Sequence, residues 1–145
     1  MREILFRGKT LTGKWFEGAY YKQEEFYGDK EDAHVIITSK DTLDNDFGLL
    51  YSVVIPETIG QYTGLTDKNG KNIFEGDVVK CKDYLEAKPF EFQGYIDFKN
   101  GSYVIVGDFM THYRWLDYEV EVIGNIHDNP ELLKSEVTDN DRQRD

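Results

Sequence analysis

The chain has one cysteine, Cys81, so an internal disulfide is unavailable and a reducing interior compartment is the expected setting. No stretch approaches the roughly 18 consecutive apolar residues that a membrane-crossing helix needs, so no membrane association is expected. The opening Met1-Arg2-Glu3-Ile4-Leu5-Phe6-Arg7 has neither a long apolar run nor a cleavage-like site, and no secretory leader is expected. Cations are scarce: 17 Lys and Arg stand against 28 Asp and Glu, for a net charge of −11. Nucleic-acid phosphates need clustered Lys or Arg, so direct nucleic-acid binding is disfavoured. The composition also excludes collagen-like, coiled-coil and wholly disordered chains.

Recognisable chemistry is equally scarce. His34, His112 and His127 stand apart, with no second histidine four residues away and no cysteine pair, so no metal centre and no cofactor are expected. Asp44-Asn45-Asp46-Phe47-Gly48 hints at a calcium loop, but its glycine falls early and the twelfth position is Ile55, where a Glu is required. There is no phosphate loop, no dinucleotide fingerprint and no nucleophile elbow. Carboxylates are too abundant to single out an acid/base pair. Cys81 lies between Lys80 and Lys82, which would lower its pKa at an exposed site. Alternation with Val79 reads instead as a buried thiol. No catalytic residues are assigned, and the chain is not expected to be an enzyme.

What is abundant is aromatic and β-favouring sequence. Hydrophobic residues make up 39% of the 145 residues and aromatics 14%, enough for the core of one domain or a domain with a small appended lobe. The charge is uneven. Residues 1–22 carry +3, residues 23–46 carry −6, and residues 89–134 carry −5.

The spacing predicts short strands broken by turns. Residues 3–7 and 14–22 read as a hairpin around Thr12-Gly13, and 23–33 as an acidic loop. His34–Thr38 is a β-branched strand, and Leu49–Ile55 a further strand stopped by Pro56. Asp67–Asn72 is a turn containing Asn69-Gly70, with Asp67 closing it through its own side chain. Glu75-Gly76-Asp77 leads into the strand Val78–Lys82. Over 90–98, Phe90, Phe92, Gly94, Ile96 and Phe98 share one face and Glu91, Gln93, Tyr95 and Asp97 the other. Asn100-Gly101 forms a two-residue type I′ loop, which pairs Phe98 with Tyr103, Ile96 with Ile105 and Gly94 with Gly107. A last strand covers 118–126, and Asn129-Pro130 opens one helical turn with Asn129 as its cap.

The fold class is therefore mainly β. An N-terminal β lobe covers 1–56, a Gly-rich connecting segment 57–72, a small SH3-like barrel 73–134 and a flexible tail 135–145. The Gly-Asp pair entering a Val-Val strand carries the SH3-like comparison, which is an analogy of fold and not of function.

One long segment is specific. Val54-Ile55-Pro56-Glu57-Thr58-Ile59-Gly60-Gln61-Tyr62-Thr63-Gly64-Leu65-Thr66-Asp67-Lys68-Asn69-Gly70-Lys71, continued by Ile73-Phe74-Glu75-Gly76-Asp77-Val78-Val79, resembles the YopX family of phage and prophage proteins. So do Val120-Glu121-Val122-Ile123-Gly124-Asn125-Ile126-His127-Asp128-Asn129-Pro130-Glu131-Leu132-Leu133 and the opening Ile4-Leu5-Phe6-Arg7 with Gly13-Lys14-Trp15. Residues 23–48 and 83–118 match no pattern. The resemblance implies a mainly β fold with an SH3-like C-terminal part, a phage or prophage origin and residence in the host cytoplasm. It supplies no activity and no catalytic residues.

Two functional readings follow. In the first, the chain is a non-enzymatic accessory protein that binds a protein partner and self-associates into a homo-oligomer. In the second, it is an acidic decoy that inhibits a host nucleic-acid-binding enzyme. The candidate partner-binding residues are Gln61, Tyr62 and Thr63, held between glycines, and the acidic Glu24, Glu25, Glu31 and Asp32. Tyr62 reads either as part of an exposed binding loop or as packing cover with its hydroxyl at a rim. Tyr113 and Trp115, beside Arg114, read either as a stacking patch or as core and rim.

Overall fold

Thr10, Thr12 and Gly13 set the first hairpin. Gly13 adopts φ +89° and its N–H donates to the Thr10 carbonyl at 2.9 Å, while Thr10 Oγ1 accepts the Lys14 N–H at 3.2 Å. This turn joins β1 (Phe6–Lys9) to β2 (Trp15–Gln23), with Arg7 opposite Glu17 and Lys9 opposite Trp15. In the computed structural model, residues 1–24, 31–38, 50–84 and 87–133 are described. They form two antiparallel sheets and divide into two compact units, Met1–Gly64 and Leu65–Asp145, with the division inside the 57–72 segment. The mainly β expectation holds. The 135–145 tail and the Asp44–Gly48 stretch lie outside the described residues.

In the first unit, β3 (Ala33–Thr38) pairs with β2, and β4 (Leu50–Val53) pairs with β3. Tyr20, Ile36 and Ser52 thereby share a row across three strands, and Ile36 is fully buried. Tyr20 also stacks on His34, with its hydroxyl 2.6 Å from Nδ1. Pro56 does more than stop a strand: its fixed φ opens a 3-10 turn over Pro56–Thr58. Thr58 Oγ1 donates to the Ile55 carbonyl at 2.6 Å and accepts the Lys9 N–H at 2.9 Å, tying that turn to the end of β1.

The 57–72 segment, expected to be a Gly-rich connection, contains a strand instead. β5 (Gly60–Thr66) lies on the free edge of β1, with Gly60 opposite Arg7 and Gln61 opposite Phe6. The order of this sheet is β4-β3-β2-β1-β5-β6, where β6 is Asn72–Phe74.

The second unit carries a sheet of order β10-β9-β8-β7-β11. Its strands are β7 (Asp77–Asp83), β8 (Phe90–Lys99), β9 (Ser102–Gly107), β10 (Thr111–His112) and β11 (Glu119–Asn125). The β8–β9 register is the expected one: Phe98 faces Tyr103, Ile96 faces Ile105 and Gly94 faces Gly107. Asn100 (φ 53°) and Gly101 (φ 81°) are both left-handed, as a type I′ loop demands. At Gly94 a Cβ would lie 2.5 Å from the Val106 carbonyl oxygen, so only glycine fits between these strands. Ile73, Val79, Cys81, Ile96, Ile105, Trp115 and Val120 form the core, with Leu65, Phe92, Tyr103, Tyr118 and Val122 packed against it.

Two local features depart from the expected alternation. The β7–β11 register shifts between Val122 and Gly124, a bulge that a simple period of two does not anticipate. β10 is only two residues long, too short to leave a periodic trace. Among the described residues no pairing joins β10 to β11, so the two end strands of the sheet do not meet.

Candidate functional site

The polar residues of the resembling segments are used by the fold. Asp67 is buried and accepts three backbone N–H groups. Oδ1 takes Asn69 at 2.8 Å and Lys71 at 2.9 Å, and Oδ2 takes Val122 at 3.0 Å, across 55 residues of sequence. Burial pushes its pKa up, but the N–H groups of Val122, Lys71 and Asn69 outweigh burial and hold the carboxyl below its ordinary value. The Lys68 N–H adds a bond to the Val120 carbonyl at 2.9 Å. The turn thus closes on itself, as expected, and also covers the outer edge of β11.

Asp77 repeats this arrangement on a smaller scale. Its carboxylate is buried and accepts the Phe74 N–H at 2.8 Å, closing the turn over Glu75 and Gly76. Asn125 Oδ1 accepts the N–H groups of His127 at 3.0 Å and Asp128 at 2.9 Å. Asn129 differs from its expected role. Its side-chain oxygen caps the Asn125 N–H at 3.3 Å, and its backbone carbonyl takes the Leu132 N–H that opens the 3-10 turn Pro130–Leu133. A Cβ on Gly124 would meet that Asn129 oxygen at 2.5 Å.

Two further titratable groups, in the interior of the second unit, also serve packing. Burial pushes the Cys81 thiol up to about 12, so Lys80 and Lys82 do not activate it. His112 is buried, stacked on Phe92 at 4.0 Å between centroids, with Nδ1 3.3 Å from the Tyr118 hydroxyl. Burial lowers its pKa, and Asp83 opposes that shift.

The arrangement changes along the stretch between β7 and β11. Phe98 packs on Tyr103 at 5.1 Å, edge to face, yet half of its surface remains exposed. Asn100 Nδ2 donates to the Tyr113 hydroxyl at 3.3 Å, bringing a second half-exposed aromatic to the same hairpin end. Trp115, by contrast, is buried, and its Nε1–H donates to the Tyr103 carbonyl at 2.9 Å. The two readings of this trio divide accordingly, with Trp115 in the core and Tyr113 at the surface beside exposed Arg114. Phe109 and Leu116, also in this stretch, are 98% and 76% exposed. An exposed aromatic group on a rigid hairpin has the composition of a binding surface, and it includes no convergent acid, base and nucleophile.

The candidate residues named from sequence fall elsewhere. Gln61, Tyr62 and Thr63 are not a loop: they are half-buried in β5, and the Tyr62 N–H donates to the Leu5 carbonyl at 2.8 Å. Glu24, Glu31 and Asp32 are exposed at the end of the β2–β3 hairpin, and Asp32 is held by Lys22 at 3.1 Å. Glu25 lies outside the described residues. Sequence reasoning did not single out Phe98 as a surface residue, because a period-2 strand gives its end residues the same inward phase as its centre. The available signal was position: it is within two residues of the Asn100-Gly101 loop.

Among the described residues, no helix is long and apolar enough to cross a membrane. A family model described as YopX protein matches residues 5–134. No curated protein matches the chain. Among solved structures, the crystal structure of protein EF1440 from Enterococcus faecalis is similar to it, with 26% identity and a TM-score of 0.53 over 92% of this chain and 100% of that one.

Proposed function

The chain belongs to the YopX family, matched over residues 5–134, and from that premise we propose that it is a phage- or prophage-encoded accessory protein of the host cytoplasm that works by binding a protein partner and catalyses no reaction. The observation that carries this reading is the division of labour among side chains. Asp67, Asp77, Asn125 and Asn129 are taken up by backbone N–H groups, whereas Phe98 and Tyr113 are held on a hairpin end and left half exposed. The strand order β10-β9-β8-β7-β11, in which the last strand returns to pair with the first, supports reading the second unit as SH3-like.

The test is capture by the full chain against a variant carrying Phe98→Ser and Tyr113→Ser, with cross-linking to locate the contact. Capture by the parent and its loss in the variant, at an unchanged melting temperature, is expected. Capture by both, or a contact mapped away from 98–116, overturns the reading.

The acidic-decoy reading draws on one observation. Glu24 and Glu31 are exposed and, among the described residues, have no cation within 4 Å. It predicts a basic partner whose capture falls steeply with salt and is lost when those two residues are reversed in sign.

A further inference from the structure

We infer that β4 is a pairing edge: it joins the β4 of a second copy of this chain, antiparallel and about a two-fold axis at Ser52, so that one sheet runs through both copies. This edge lies in the first unit and makes no use of Phe98 or Tyr113, so the inference goes beyond the reading above.

The edge is open by its own register. The Val54 N–H donates to the His34 carbonyl at 2.9 Å, and the ladder sets Val53 opposite Val35, Ser52 opposite Ile36 and Tyr51 opposite Ile37. Alternate residues of an antiparallel ladder turn their backbone groups inward, so Ser52 and Val54 face β3 while Tyr51 and Val53 face away. Among the described residues, nothing bonds the outward N–H and carbonyl groups of Tyr51 and Val53. These two residues are 52% and 46% exposed. The strand Leu50-Tyr51-Ser52-Val53 carries neither charge nor proline, the usual means of blunting an edge. The other outermost strands are blunted. β11 is covered by the Lys68 N–H and the Asp67 carboxylate, and β10 is two residues long. On β6, Ile73 and Phe74 are buried and the Phe74 N–H is held by Asp77.

The occupant is indicated by the complementarity of this edge with itself. Antiparallel pairing centred on Ser52 sets Tyr51 of each copy opposite Val53 of the other. Each such pair exchanges both of its hydrogen bonds, and every outward group of Tyr51 and Val53 is used. The side chains agree with that register. Ala19, Ile37 and Tyr51 form one row across β2, β3 and β4, and Tyr21, Val35 and Val53 form the next. The two-fold joins the first row of one copy to the second row of the other, with an aromatic beside a β-branched residue at each junction. A single short strand pair covers less than the roughly 800 Å² per partner of a standard interface, so the dimer is weak. The net charge of −11 on each copy weakens it further, and salt relieves that repulsion.

Sedimentation velocity on the full chain up to about 1 mM, with amide exchange followed residue by residue, tests this. A monomer–dimer equilibrium favoured by molar salt is expected, in which the Tyr51 and Val53 N–H groups gain protection as concentration rises. Val53→Pro removes an outward donor and no bond within the chain, and is expected to weaken the dimer about tenfold or more at an unchanged melting temperature. Y51K/V53K and Y51E/V53E each set like charges across the axis and are expected not to pair alone. An equal mixture of the two is expected to form a 1:1 dimer, which a merely damaged fold cannot do. A chain that stays monomeric throughout the series overturns the inference, as does a dimer indifferent to Val53→Pro, or a mixture that fails to pair. Concentration-dependent protection confined to other residues overturns it in favour of a different interface. A monomer whose Tyr51 and Val53 N–H groups are protected only in a complex with another protein overturns it in favour of a foreign strand.

Discussion

Residues 65–82 and 119–133 bracket the second sheet, and four of their polar side chains are taken up by backbone N–H groups. Three N–H groups converge on Asp67, one on Asp77, two on Asn125 and one on Asn129. Residues 84–118, between those brackets, leave aromatic and aliphatic side chains at the surface instead, Phe98, Phe109, Tyr113 and Leu116 among them. Buried backbone donors are costly to leave unpaired, so the brackets tolerate few substitutions. The intervening stretch has no such constraint on its exposed positions. The backbone-bound side chains of the brackets therefore hold the second unit's frame, and the intervening stretch presents side chains at its surface.

The largest effect that sharpens this contrast is at Asp67. Replacing it with alanine removes acceptors for the turn and for β11 together, and leaves the Val122 N–H without its partner. A loss of about 3 kcal/mol in unfolding free energy is expected from chemical denaturation. Asp67→Asn keeps an oxygen for Asn69 and Lys71 but turns an amide toward Val122, and is expected to cost about half as much. An alanine variant with unchanged stability would remove the scaffold half of the comparison.

Trp115 comes next, because it is buried in the core and its indole N–H is tied to β9. Trp115→Phe loses the bond from Nε1 to the Tyr103 carbonyl and part of the buried ring. About 1–2 kcal/mol of destabilisation is expected, with the near-ultraviolet aromatic signal of the hairpin end altered as well.

These two residues also show what was readable in the sequence. Asp67 announced itself as a turn-closing carboxylate, because Asp followed by Asn-Gly is a local signal. Its bond to Val122 was invisible, since 55 residues separate the two. Trp115 is readable either as a stacking residue or as core, because residues 113–118 have no period to assign a face, and it is buried. The β8–β9 pairing was fully legible, as a two-residue loop fixes register by counting. β5 was hidden by its glycines: Gly60 and Gly64 read as turns, yet Gly60 sits in a ladder opposite Arg7. The same glycines leave Gln61, Tyr62 and Thr63 readable either as an exposed loop or as packing, and they are half-buried in β5.

A smaller effect is expected from acid. The folded chain holds the His112 pKa below its ordinary value, through burial against Phe92 and Tyr118, with Asp83 opposing. The unfolded chain then takes up the proton first. Stability is accordingly full above about pH 6.5 and falls as the pH drops below it. Asp67, with its carboxyl held low, contributes a second loss at more acidic pH, below about 3.8. His112→Phe should flatten the first decline and leave the second. A melting-temperature series against pH that shows one acid limb unaffected by this substitution would count against a buried neutral imidazole.

The smallest expected effect on stability is the most informative for function. Phe98 and Tyr113 are each about half exposed, at 51% and 50%, so truncating them forfeits little buried area. Phe98→Ser and Tyr113→Ser are each expected to change unfolding free energy by less than about 1 kcal/mol, because only the edge-to-face contact with Tyr103 and the Asn100 bond are lost. A binding surface behaves in the opposite sense: a half-exposed aromatic that a partner covers completely contributes about 2 kcal/mol or more to the complex. The ratio of the two losses therefore separates packing from recognition. If both substitutions destabilise the fold as strongly as Trp115→Phe and leave association unchanged, residues 84–118 are scaffold like their brackets, and the contrast between the two regions disappears.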